Sequence, residues 1–74
     1  MNDTATYEII VMGSLSELWA EWFPGMRIQP GVQNEAQITQ VSGQVTDQSS
    51  LIGMLQTLIN LGLPILLVKR SEWI

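Results

Sequence analysis

Three backbone interruptions, Pro24-Gly25, Pro30-Gly31 and Gly62-Leu63-Pro64, decide what this chain of 74 residues can become. A residue ahead of proline is pushed out of the helical region, and proline cannot donate to a helical turn or a central strand. The pieces between the interruptions differ in hydrophobic period. Tyr7-Glu8-Ile9-Ile10-Val11-Met12 is rich in β-branched and aromatic residues and reads as a strand ending at Gly13. Beyond it, Leu15, Leu18, Trp19, Trp22 and Phe23 follow the i, i+3, i+4, i+7, i+8 series of one helix face, and Ser14-Leu15-Ser16-Glu17 has the spacing of a capping box.

Met26-Arg27-Ile28-Gln29 alternates as a short strand that Pro30-Gly31 cuts off, and Val32 to Glu35 form a hairpin loop. A longer strand runs from Ala36 to Val45. In it Ile38 has one parity while Val41, Gly43 and Val45 have the other, so either a bulge lies near Thr39-Gln40 or Ile38 points away from the core. Thr46-Asp47 offers an N-cap to a second helix with Leu51, Met54, Leu55, Leu58 and Ile59 on its apolar face. With Gly62 as a left-handed C′ residue, Leu63 would pack on Leu58 in a Schellman ending, and Ile65-Leu66-Leu67-Val68 forms a last strand.

Strand, helix, strand, strand, helix, strand is the resulting order. Each helix is one-sided and needs a sheet to receive it, and right-handed crossovers place both on the same face. The expectation is therefore an α+β fold, a ferredoxin-like β-α-β-β-α-β sandwich. It has a four-stranded antiparallel sheet of order 4-1-3-2 with two helices on one face. One domain spans residues 1–74, with residues 1–6 a frayed arm and 71–74 a tail.

Tyr7-Glu8-Ile9, the Leu18-Trp19-x-x-Trp22-Phe23 segment and Gly43 through Leu55, leading into Leu61-Gly62-Leu63-Pro64-Ile65-Leu66, resemble a family of small stand-alone bacterial proteins without an assigned activity. The resemblance spans about Tyr7 to Arg70 and implies a ferredoxin-like fold and nothing catalytic. This chain departs from that family's pattern at Ile10, Met12 and Leu67, which are apolar where the family is usually polar. The departure points away from a soluble monomer.

Composition narrows the chemistry. With no Cys and no His, disulfides, Cys₂His₂-type metal sites and Cys or His nucleophile–base pairs are excluded. Glu17 and Glu21 lie four apart on the polar side of the first helix, a solvated face, and Asp47 with Ser49 and Ser50 is explained by capping. Glu8 and Lys69 read as an ordinary cross-strand pair. No glycine arrangement forms a phosphate loop, and the seven acids are too scattered to converge on a metal. A net charge of -4 with three basic residues gives no footprint for nucleic acid. We therefore expect no enzyme activity and no cofactor.

Between Asp47 and Lys69 lie 21 uncharged residues, long enough to cross a bilayer. Gly62 and Pro64 interrupt that run, and Gln48, Ser49, Gln56 and Asn60 put a polar stripe on its first part, which reads as a soluble helix followed by a strand. Residues 1–6 carry no basic region of a secretory leader, so the expected compartment is the cytoplasm.

The open face of the sheet carries the functional reading. Strands one and four are apolar on both faces, although helices cover only one. Ile10, Met12, Ile65 and Leu67, joined by Ile38, would merge into one patch on the uncovered face, with Trp73 of the tail beside it or folded across it. Strand four is also a long apolar edge, open to pairing. Self-association follows as the expected function, with a homodimer favoured. The alternative is a small-molecule-sensing domain whose ligand sits at a dimer seam near Gln37, Gln40 and Gln44.

Overall fold

A computed structural model describes residues 5–71 of the chain. Four antiparallel-paired strands, β1 (Ala5–Met12), β2 (Met26–Gln33), β3 (Ala36–Val45) and β4 (Ile65–Ser71), form one sheet in the order β2-β3-β1-β4. One α-helix, α1 (Gln48–Asn60), connects β3 to β4. Strand β1 alternates buried and half-buried residues, and Ala5, Tyr7, Ile9 and Val11 point into the core. Val41 and Val45 of β3 join them on the same face, where Leu15, Phe23, Met54 and Leu58 close the core from above.

The ferredoxin-like β-α-β-β-α-β sandwich with two helices is corrected by this structure. Among the described residues there is a single α-helix, and the β1–β2 connection holds only a six-residue 3-10 helix, Glu17–Trp22, with no buried residue. Its N-cap is Ser16, whose hydroxyl accepts from the Leu18 amide at 3.2 Å, and not Ser14. The cause lies outside the segment. Leu15 is held in the core, and its amide donates to the Thr39 hydroxyl at 3.1 Å. That hydroxyl in turn donates to the Gly13 carbonyl at 2.8 Å. Gly13 to Leu15 are thereby tied to β3, which leaves too little chain before buried Phe23 for an α-helix. The tighter 3-10 winding nearly eclipses side chains three apart, so Trp19 and Trp22 meet with ring centroids at 6.0 Å while Leu18 and Trp22 stand in solvent.

Helix α1 forms as its local signals require. Asp47 caps it, accepting from the Ser50 amide at 2.7 Å. It ends in a Schellman motif: Gly62 has φ +80°, Leu63 N–H donates to Leu58 C=O at 3.1 Å, and Gly62 N–H donates to Ile59 C=O at 2.9 Å. Met54 and Leu58 are buried, whereas Ile59, expected on the apolar face, is largely exposed.

Several strand boundaries differ from expectation. Ala5 and Thr6 belong to β1 and not to a frayed arm, and Ser71 belongs to β4 and not to a tail. Strand β2 continues through Pro30-Gly31 to Gln33, which an edge strand tolerates because one row of its backbone donors needs no partner in the sheet. The β2–β3 hairpin turns on two residues, Asn34 and Glu35, with φ +52° and +67°, the pair of positive angles that matches strand twist.

Candidate functional site

In an antiparallel pair, residues directly opposite share a face, so the register gives the composition of the uncovered side. Met12 lies beside Ile38, and Ile38 beside Gly31; Leu67 lies beside Ile10, Ile10 beside Gln40, and Gln40 beside Gln29. In the next row, Lys69, Glu8, Ser42 and Arg27 follow one another across the sheet. The open face is therefore divided. Ile10, Met12, Ile38 and Leu67 make an apolar end, and Glu8 with its neighbours makes a polar one, where Gln40 Nε2 donates to Glu8 Oε2.

Of the expected interface residues, these four are brought together: Ile10 and Ile38 are half-buried by their neighbours, while Met12 is 44% and Leu67 41% exposed. Ile38 points away from the core through an unbroken β3 register, with no bulge at Thr39-Gln40. Ile65 does not join the patch. The β1–β4 register shifts between Ile10, opposite Leu67, and Val11, opposite Ile65, so Leu66 has no register partner and Ile65 is turned to the covered side, packed against the core. Trp73 lies outside the described residues.

Two further apolar residues extend the exposed surface along the edge. Leu66 is 45% exposed, and Val68, although on the covered side opposite Ile9, is 43% exposed. A residue at the rim of a sheet gains cover from its own strand's neighbours on one side only, so parity alone overestimated its burial. The strand order itself contained the signal, because it places β4 at the edge.

The polar side chains are dispersed or already paired. Among the described residues no group of three or more Asp or Glu side chains converges, and no buried side-chain polar atom lacks a hydrogen-bond partner. The one buried polar residue among them, Thr39, is occupied in tying down Gly13 and Leu15. A shallow groove of about 740 Å³ runs beside Arg27, Ser42, Gln44 and Thr46 and reaches Thr6 of β1. Of the three glutamines expected at a ligand seam, only Gln44 lines it. No helix among the described residues is long and apolar enough to cross a membrane.

Residues 6–69 match the family model of a domain of unknown function, DUF8691. No curated protein and no solved structure matches the chain.

Proposed function

We propose that this chain, which belongs to the DUF8691 family of domains of unknown function, is a non-enzymatic interaction module that self-associates through its open sheet face and its β4 edge. One observation carries the reading: Leu66, Leu67 and Val68 stand exposed in sequence on an edge strand, and Leu67 continues across the open face into Ile10, beside Met12 and Ile38. Contiguous apolar surface of this kind is uncommon on a monomer and typically marks an interface. Association also adds core to a chain whose size allows only a thin stability margin. A homodimer is the arrangement a self-complementary patch favours, because a two-fold axis closes it.

Light scattering at micromolar concentration tests this. The expected result is a dimer that Leu67→Lys converts to a monomer, and a monomeric parent chain that Leu67→Lys leaves unchanged overturns it. The groove beside Arg27 favours a second reading, a small-molecule-sensing domain. A thermal-shift screen against metabolites separates the two, since a ligand at 100 times its Kd adds about 2.7 kcal/mol of stability.

A further inference from the structure

The sheet has two edges, and they are not equivalent. Strand β2 carries Arg27, Pro30 and Gly31, each of which discourages a further strand from adding there. Strand β4 is opposite in character: Ile65 to Val68 contain no proline, glycine or charge, and the basic residues Lys69 and Arg70 follow at its C-terminal end. Resting on the self-association reading above, we propose that two copies of this chain join β4 to β4 antiparallel, with the two-fold axis at Leu67, so that the two sheets become one of eight strands.

Charge narrows the register, and joining the two open-face patches at Leu67 completes the choice. A two-fold axis perpendicular to the sheet keeps each face on its own side, so opposing residues have like parity. An axis at Lys69 sets the two Lys69 side chains directly opposite, which is destabilising. An axis at Leu67 sets Leu67 against Leu67 on the open face and Leu66 against Val68; the Leu66 bulge interrupts the ladder there, so Lys69 lies alongside Ile65 with the two on opposite faces. The axis separates the two lysine Cα atoms by ~14 Å, from the spacing of residues along and across a sheet, beyond the Debye length of about 8 Å at physiological ionic strength. The same register carries Lys69 and Arg70 of the second copy toward Pro64 and the C-terminal turn of α1. That turn has no basic residue, and the negative end of the helix dipole favours one.

The Cys-free sequence makes the test direct, because an introduced thiol has only its symmetry mate to pair with. At an axis through Leu67 the two Cα atoms fall within the 4.4–6.8 Å, roughly, that a disulfide spans, whereas residues at 68 stand ~8 Å apart. Under mild oxidation, Leu67→Cys is expected to give mostly a covalent species of twice the 8.3 kDa chain mass, and Val68→Cys and Ile10→Cys are expected to stay uncrosslinked. Amide exchange on the unmodified chain is a second readout, with protection of β4 expected to rise with protein concentration. A chain that dimerises by light scattering but crosslinks through Val68→Cys or Ile10→Cys, or shows no such protection in β4, overturns the edge pairing and leaves self-association standing. A monomeric chain overturns both.

Discussion

Leu15 donates its backbone amide to the hydroxyl of Thr39, 24 residues further along the chain, at 3.1 Å. That one bond, with the bond from the same hydroxyl to Gly13, fixes where the β1–β2 connection leaves the sheet. Thr39 is 1% exposed and its bond with the Leu15 amide is buried, so that amide has no water to turn to if the hydroxyl is removed.

Thr39→Val is therefore expected to destabilise the chain by about 1–3 kcal/mol, the cost of leaving the buried Leu15 donor unpaired. Thr39→Ser keeps the hydroxyl and loses a methyl group, at a cost of about 1 kcal/mol. Urea titration of the parent and the two variants checks the ranking; a Thr39→Val midpoint equal to the parent's would remove the anchor from the account.

The glycines separate into two kinds. A β-carbon on Gly43 would lie 2.4 Å from the Gly25 carbonyl oxygen, a backbone atom that cannot step aside alone, so Gly43→Ala is expected to cost about 1–3 kcal/mol through overpacking. Gly53, inside α1, has nothing within 4 Å of that position, and Gly53→Ala should stabilise by about 0.5–1 kcal/mol. Thermal melts of the two variants are expected to move in opposite directions from the parent.

Phe23 and Trp22 are adjacent aromatics with opposite fates, 1% and 61% exposed. Phe23→Ala is expected to cost about 3–5 kcal/mol, a large part of the roughly 4–11 kcal/mol that a domain of this length commands. Trp22→Ala should cost no more than about 1 kcal/mol. A helix with both aromatics on its buried face would lose similar amounts at both positions, so the ratio of the two effects reports the 3-10 winding directly.

If two copies associate, stability depends on concentration. A tenfold dilution is expected to lower the free energy of the dimer by about 1.4 kcal/mol, and Leu67→Lys should abolish that dependence while leaving the dilute-limit melting temperature near the parent's. Calorimetric melts over a hundredfold range of concentration check this. A melting temperature flat with concentration in the parent chain counts against association.

What could be read in advance, and what could not, divides by the distance over which the cause acts. Helix α1 was legible because Asp47, its apolar residues and Gly62 each act within a turn of one another. The first connection was not. Leu18, Trp19, Trp22 and Phe23 hold a true helical period, yet Leu15 is claimed by a threonine in another strand, and the remaining chain winds more tightly. Similarly, the alternation of Ile10, Met12 and Leu67 placed them on the open face, but Ile65 obeyed a bulge that leaves no mark in an uninterrupted run of aliphatic residues.

That bulge has a consequence for how this strand tolerates change. Leu66 pairs with nothing across the ladder, and because it is skipped, Ile65 and Leu67, two apart in sequence, face opposite sides of the sheet. Delete Leu66 and Ile65 keeps its place opposite Val11 in a regular ladder; pair Leu66 with Val11 instead and Ile65 leaves the core for the opposite side of the sheet, with no change in the composition of the strand. In β4 the pairing of residues carries information that their chemistry does not: four interchangeable aliphatic letters are sorted into interior and exterior by a spacer.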